Sequence, residues 1–212
     1  MHFIDLQSQY ALLKPKIDSR IQQVLDHGIF INGPEIKELE TRLQEHLGIK
    51  HAIACGNGTD ALVLSLMALG ISKGDAVFCP SFTFFATAEA IASCGALPVF
   101  VDSEIDTFNI CPDSFEKAIN EVQKGGEYNV KAVIAVDLFG LPANYSSICK
   151  IADRHNMKII EDAAQSFGGV FDGVRAGALG DIAITSFFPS KPLGCYGDGG
   201  AVFTNNEEYA ET

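Results

Sequence analysis

Apolar and polar positions follow two periodicities along this chain of 212 residues. From Gln7 to His27 apolar side chains recur every three or four residues, which predicts an amphipathic helix that continues through Pro15. The same spacing, with a proline at the start, predicts a second helix over Pro34–His46. The segment Gly28–Gly33 between them is a turn-rich loop that is unusually apolar.

Short apolar runs then follow, and most of them are separated by helical patterns. Buried strands that alternate with helices are typical of a mostly parallel sheet covered on both faces. The predicted strands are His51–Cys55, Ala76–Cys79, Val99–Val101, Val130–Val136, Lys158–Ile160, Ile182–Phe187 and Ala201–Thr204, with helical patterns at Asp60–Leu69 and Ala86–Cys94. We therefore expect an α/β fold with a mostly parallel seven-stranded sheet, in which ligands bind at the carboxyl ends of the strands.

Composition is consistent with one large domain, because 47% of the residues are hydrophobic. The formal net charge of −12 disfavours nonspecific binding to nucleic acid and to anionic membranes. The first residues lack the pattern of a signal peptide, and no apolar run is long enough to span a bilayer. A cytoplasmic location is expected.

The six cysteines lie far apart, with no C-x-x-C pair and no histidine at metal-ligand spacing. They are Cys55, Cys79, Cys94, Cys111, Cys149 and Cys195. We expect reduced thiols and no metal site. The role of Cys195 stays open, because it lies close to Lys191.

Lys191 lies in a glycine-rich segment, Ser186–Gly200, next to a predicted strand. A lysine amine can form a Schiff base with the aldehyde of pyridoxal phosphate if its surroundings let it lose its charge. Asp162 follows an earlier apolar run, and an aspartate can keep the pyridine nitrogen of that cofactor protonated. The plainer alternatives are a solvated lysine and an aspartate that caps a helix.

A possible phosphate site follows the first predicted strand. In Gly56–Ala61 two glycines allow a tight turn, and Gly58, Thr59 and Asp60 come at the start of a helix whose free N–H groups favour an anion. Ordinary helix capping gives the same pattern.

Three further side chains at predicted strand ends suit the same cofactor. Phe84 could stack on a planar ring, although a core position is the usual role of such a phenylalanine. Gln165 could donate to the phenolic oxygen of the cofactor, and Ser186 could donate to its phosphate. The ordered set of these residues favours a pyridoxal phosphate site over separate structural roles.

Taken in order, the motifs resemble the large domain of the sugar aminotransferases of the DegT/DnrJ/EryC1/StrS family, which have the type I fold of pyridoxal-phosphate-dependent transferases. The motifs that carry the resemblance are Asn57–Leu62, Pro80–Phe84, Asp137–Gly140, Glu161–Gln165 and Ser186–Lys191. The resemblance covers nearly the whole chain.

The resemblance implies a role for each matching residue. Lys191 and Asp162 are the catalytic residues: Lys191 bonds to the cofactor and moves protons, and Asp162 pairs with the pyridine nitrogen. The other cofactor-binding residues are Gln165 at the phenolic oxygen, Phe84 on the ring, and Gly58, Thr59, Asp60 and Ser186 at the phosphate.

The resemblance also implies an activity, which is transfer of an amino group from glutamate to a keto group of a nucleotide-linked sugar. The sequence near Lys191 and at Phe3–Gln7 is most similar to the sequences of members that act on UDP-linked N-acetylated 3-keto sugars. These members include the branch that acts on 3-keto glucuronate in the synthesis of surface polysaccharides, for example lipopolysaccharide.

Family members build each site at the interface of a homodimer and continue into a small C-terminal domain. We therefore expect residues 1–34 to form a helix and an interface loop, and residues 35–212 to form the cofactor-binding large domain. The small domain is expected to be absent from this chain.

Three other functions share part of this pattern. A sugar dehydratase of the same fold carries histidine in place of the lysine, so Lys191 argues against it. A non-catalytic binding or regulatory domain could keep the pocket without a complete site. A nucleotide-binding oxidoreductase is disfavoured, because no G-x-G-x-x-G motif follows an early strand.

Overall fold

The computed structural model describes residues 4–212, and a seven-stranded sheet forms its centre. The strands of this sheet are β1 (His51–Cys55), β2 (Asp75–Pro80), β3 (Leu97–Val101), β4 (Asn129–Val136), β5 (Lys158–Asp162), β8 (Ile182–Ser186) and β9 (Gly200–Thr204). A separate hairpin consists of β6 (Val170–Phe171) and β7 (Val174–Arg175). All the predicted strands are present, and their ends differ from the prediction by two residues at most. Phe3, used in the N-terminal comparison, lies outside the described residues.

The strands lie in the order β1-β9-β8-β5-β4-β2-β3. The neighbours from β8 to β3 are parallel, whereas β9 is antiparallel to both β8 and β1. Residues 187–199, which join β8 to β9, contain no helix, so the chain returns beside β8 instead of crossing over. The carboxyl ends of the other six strands therefore meet at one edge of the sheet.

Helices cover both faces of the sheet. They are α1 (Leu6–His27), α2 (Pro34–Leu47), α3 (Gly58–Ala68), α4 (Ala86–Ser93), α5 (Pro112–Gly125), α6 (Tyr145–Arg154) and α7 (Glu207–Glu211). Alternate residues of β4 pack on opposite sides: Ile134 contacts the core under α3 and α4, and Val133 contacts the core under α5 and α6. This three-layer arrangement confirms the expected α/β fold.

The N-terminal region differs from the rest in its exposure. Helix α1 runs through Pro15 without interruption and buries none of its described side chains. In the loop after it, Ile29, Phe30 and Ile31 are 52%, 68% and 85% exposed. None of the helices within residues 4–212 is long and apolar enough to cross a membrane.

Candidate active site

The carboxyl ends of β1, β2, β5 and β8 border a cavity of about 560 Å³. The sequence-predicted residues that line it are Gly58, Thr59, Asp60, Phe84, Asp162, Gln165, Ser186 and Lys191. The structure therefore brings the whole predicted set to one place. Parallel strands explain this, because residues that follow different strands meet at the same edge of the sheet.

The N-terminus of α3 forms one wall of the cavity. Asn57 caps this helix, since its side-chain oxygen accepts a hydrogen bond from the Asp60 N–H at 2.8 Å. The backbone N–H groups of Gly58 and Thr59 have no acceptor among the described residues, so they can bind an anion at the positive end of the helix.

Asp60 lines the same wall of the cavity and takes part in the cap of α3. Its backbone N–H is already donated to Asn57, and its carboxylate accepts from the Asn57 amide at 2.9 Å. The Asp60 N–H and one of its carboxylate oxygens are therefore engaged in the cap. Asn57 was not predicted as a site residue, although an asparagine just before a helical apolar run is a recognisable start signal.

Two glycines allow the backbone to approach closely beside this helix. A Cβ atom on Gly58 would lie 2.8 Å from the Ser186 Cβ, and one on Gly200 would lie 2.5 Å from the backbone of Asn57. Ser186 consequently lies against the start of α3. Its hydroxyl oxygen accepts from the Phe188 N–H at 3.2 Å, which leaves the hydroxyl proton available to the cavity.

Asp162 is a buried acid at the floor of the cavity, 8% exposed. Burial raises the pKa of its carboxyl group, whereas the hydrogen bond from the Ala164 N–H and the nearby charge of Lys191 lower the pKa. The Ala164 bond, at 3.0 Å, occupies Oδ1. Oδ2 has no hydrogen-bond partner among residues 4–212, so the cavity offers a cationic N–H donor a ready acceptor.

Lys191 enters the cavity from the loop between β8 and β9. A turn holds the loop there, since the Lys191 N–H donates to the Phe188 carbonyl at 2.8 Å. The side chain makes no hydrogen bond or ion pair with any described residue, and it lies close enough to Asp162 to act on its pKa. The Cys195 thiol donates to the carbonyl of Gly197 within the same loop, at 3.2 Å.

Phe84 and Gln165 lie at other points of the cavity wall. Phe84 is 69% exposed, so its ring is available for stacking and is not part of the core. The side-chain oxygen of Gln165 accepts from the Phe139 N–H at 2.8 Å. Sequence reasoning missed this contact, because the two residues belong to different strand ends.

A second cluster of buried acids lies behind Asp162, away from the cavity lining. Asp137 accepts hydrogen bonds from the Ala143 N–H, the Tyr145 hydroxyl and the Ser166 hydroxyl. Glu161 accepts from two backbone N–H groups and adjoins the Asp137 carboxyl group. Burial, followed by repulsion between the acids, raises the pKa of Glu161 to about 8, and burial raises that of Asp137 to about 6.

The cavity residues fit pyridoxal phosphate in chemistry. Oδ2 of the buried Asp162 suits a protonated pyridine nitrogen, and the free N–H groups of Gly58 and Thr59 suit a phosphate. An exposed aromatic ring and an unpaired lysine amine complete the set.

Comparison with known proteins gives the same identification. The family model described as "DegT/DnrJ/EryC1/StrS aminotransferase family" matches residues 12–212. A UDP-2-acetamido-2-deoxy-3-oxo-D-glucuronate aminotransferase of Pseudomonas aeruginosa is 51% identical over 99% of this chain and 56% of its own length. The chain thus spans about half the length of the curated relatives it matches.

Solved structures agree with the fold. A DegT DnrJ EryC1 StrS aminotransferase from Brucella abortus superposes with a TM-score of 0.98 and 53% identity, covering 100% of this chain and 57% of that one. The NtdA structure from Bacillus subtilis, with bound cofactor PMP, has a TM-score of 0.82 at 37% identity and covers 92% of this chain and 42% of that one. This chain belongs to the DegT/DnrJ/EryC1/StrS aminotransferase family, whose aminotransferases are pyridoxal-phosphate-dependent.

Proposed function

We propose that the protein is a pyridoxal-phosphate-dependent aminotransferase that moves an amino group from glutamate to a keto group of a nucleotide-linked sugar. The observation that carries this proposal is the placement of Lys191 and the buried Asp162 in one cavity. A free amine and an acid that lacks a partner on Oδ2 are the two groups that this chemistry requires of a protein.

When bound, the cofactor supplies an aldehyde for covalent attachment and a ring that withdraws electrons from the reacting carbon. The residues of this chain bind and orient it. Asp162 holds a proton at the pyridine nitrogen, and Phe84 covers one face of the ring. Gly58, Thr59 and Ser186 hold the phosphate, while Asp60 keeps the Asn57 cap in place.

Lys191 has two tasks in this proposal. Its Nζ atom would hold the cofactor through the aldehyde. The same atom, as a free amine, would serve as the acid and base that moves a proton at the reacting carbon. A side chain that makes no ion pair with a described residue is free to swing between these positions.

The relatives support a choice of substrate class. The Pseudomonas aeruginosa relative is described as acting on a UDP-linked, N-acetylated 3-oxo glucuronate, and it matches 99% of this chain. We therefore propose a UDP-linked N-acetylated 3-keto sugar or uronate as the acceptor, glutamate as the donor, and surface polysaccharide or lipopolysaccharide synthesis in the cytoplasm as the setting.

We further propose a homodimer whose interface includes the loop Gly28–Gly33 and lies beside the cofactor, with residues 35–212 forming the cofactor-binding domain. Support comes from the exposure of Ile29, Phe30 and Ile31, three consecutive apolar side chains.

Borohydride trapping tests the central assignment. The protein with pyridoxal phosphate should show a visible absorption band that shifts when glutamate is added. Reduction should leave the cofactor mass on the peptide that contains Lys191, because the Schiff base becomes a stable amine. Lys191→Ala should lose this adduct and at least about 10²-fold in transamination, whereas Lys124→Ala, on the exposed side of α5, should keep both. A wild-type adduct at another lysine, or none, contradicts the proposal.

A further inference from the structure

The turn that follows β4 has an uncommon backbone conformation. Phe139 has φ 56° and ψ 18°, which is the left-handed region, and its ring is 69% exposed. For a bulky residue this conformation is strained, and it persists only where the surrounding structure imposes it.

Buried hydrogen bonds impose it here. Asn109, 2% exposed, accepts from the Leu138 N–H and donates to the Leu141 carbonyl, each at 2.9 Å. Asp137 and Ala143 hold the flanks of the same turn at 2.9 Å. The turn is thus clamped on both sides of Phe139, and its N–H has a fixed direction.

The Phe139 N–H sets the orientation of the Gln165 side-chain amide. A backbone N–H is only a donor, so the side-chain atom at 2.8 Å must be the oxygen, Oε1. The other arm of the amide is then the donor Nε2. Nε2 has no acceptor among the described residues, and Gln165 lines the cavity.

We propose that Phe139 is a positioning residue of the active site, whose clamped backbone N–H keeps the Gln165 amide turned so that Nε2 donates into the cavity. This rests on the proposed function, in which the partner of Nε2 is the phenolic oxygen of the cofactor ring. Without the Phe139 N–H the amide is free to flip and to present Oε1, which repels that oxygen. The phenylalanine ring itself is not required.

A matched pair of variants separates the backbone from the ring. Phe139→Gly loses the ring but adopts the left-handed conformation freely, whereas Phe139→Val loses the ring and resists that conformation because valine is β-branched. The measurements are the dissociation constant for pyridoxal phosphate, by fluorescence, and the pH midpoint of the visible absorption band. The other titratable side chains that line the cavity, Asp60, Asp162, Lys191 and Asp198, are unchanged in both Phe139 variants.

The Gly variant should match the wild type within about twofold. The Val variant should bind the cofactor about tenfold more weakly, as expected for one lost hydrogen bond. Its pH midpoint should be higher, because an ionised oxygen that loses a donor is protonated more easily. Equal losses in both variants would assign the effect to the ring and overturn the proposal, as would an unchanged Val variant.

A variant at position 165 covers the case in which Phe139→Val does not fold. Gln165→Glu can still accept from the Phe139 N–H but offers an oxygen to the cavity in place of Nε2. It should raise the pH midpoint and weaken cofactor binding without lowering the melting temperature of the cofactor-free protein. A Gln165→Glu titration identical to the wild type overturns the positioning role alone. A wild type with no visible band and no Lys191 adduct overturns the proposed function and, with it, this inference.

Discussion

The chemical role of Asp162 depends on the carboxylate oxygen that has no hydrogen-bond partner among the described residues. One carboxylate oxygen accepts the Ala164 N–H, and the other faces the cavity in a place where burial makes an unpartnered charge costly. A protonated ring nitrogen that donates to this oxygen would compensate for the buried charge. On the surface the same carboxylate would be solvated by water, and its attraction for a protonated ring nitrogen would be weak.

The substitution Asp162→Asn tests this role. An amide has nearly the same shape but cannot hold a proton on the ring nitrogen, so the covalent link to Lys191 should survive while transamination falls by about 10²–10⁴-fold. Absorbance and single-turnover rates with glutamate measure the two effects separately. Asp153→Asn, an exposed change on α6, should affect neither. Near wild-type turnover in Asp162→Asn would remove Asp162 from this role.

Stability should depend on pH through Asp137 and Glu161. Both pKa values are raised in the folded protein, that of Glu161 from 4.5 to about 8, so the folded state binds more protons than the unfolded state between these values. This contribution is complete at low pH and is lost as the pH rises towards about 8. Within this window, each acid that holds its proton only in the folded state lowers the free energy of unfolding by up to about 1.4 kcal/mol per pH unit, and the slope fades as the pH reaches the folded pKa.

Urea unfolding at several pH values measures this slope. Asp137→Asn should flatten it, because the amide cannot ionise and can donate to the Glu161 carboxylate instead of repelling it. The surface variant Asp153→Asn should keep the wild-type slope. If Asp137→Asn also keeps it, the two buried acids do not share their proton.

How far single residues could be predicted depends on whether their signal is local. Lys191, Asp162 and Ser186 follow apolar runs, and the sequence alone indicated a common edge for them. Asp137 also follows an apolar run, but its hydrogen bonds with Tyr145 and Ser166 have no sequence pattern, because they depend on how the turns after two strands pack. The link from Phe139 to Gln165 has no sequence pattern, because it depends on how two turns pack.

At the scale of elements, the buried strands were predicted to within two residues at their ends because apolar runs set them. Helices α5 and α6 were not identified individually, although Phe115, Ile119 and Val122 have helical spacing and pack in one core. The hairpin of β6 and β7 turns at Asp172–Gly173, both with positive φ, a recognisable turn pair. The antiparallel direction of β9 follows from the loop that carries Lys191, and no periodicity in β9 itself indicates it.

The cap of α3 offers a test at this scale. Asn57→Ala should destabilise the protein by about 1 kcal/mol and lower its melting temperature by about 2–4 °C. It should also weaken pyridoxal phosphate binding, because the first N–H groups of α3 lose their fixed direction. Asn144 caps α6 in the same way, through the Ser147 N–H, but is not part of the cavity lining. Asn144→Ala should therefore lower the stability by a similar amount without weakening cofactor binding. If both variants bind the cofactor equally well, the Asn57 cap does not contribute to the phosphate site.

At the scale of the whole molecule, the exposed N-terminal region bears on whether the protein forms a dimer. Helix α1 buries none of its described side chains, and the apolar loop after it is open to solvent. Apolar area removed from water contributes about 25 cal/mol per Å², while association itself costs several kcal/mol or more. A stable dimer therefore needs a broad contact, and we expect the exposed loop and α1 to take part in it. With a net charge of −12 on each chain, low salt should oppose it.

Sedimentation with and without pyridoxal phosphate tests the proposed dimer. The wild type should sediment as a dimer, more completely with cofactor and at higher salt. Ile31 is 85% exposed in the single chain, so Ile31→Asp should leave the stability of the monomer nearly unchanged but weaken the dimer by about tenfold or more. Because the proposed site lies between subunits, cofactor affinity should fall together with dimerisation. A wild type that stays monomeric and still transaminates would refute the shared site.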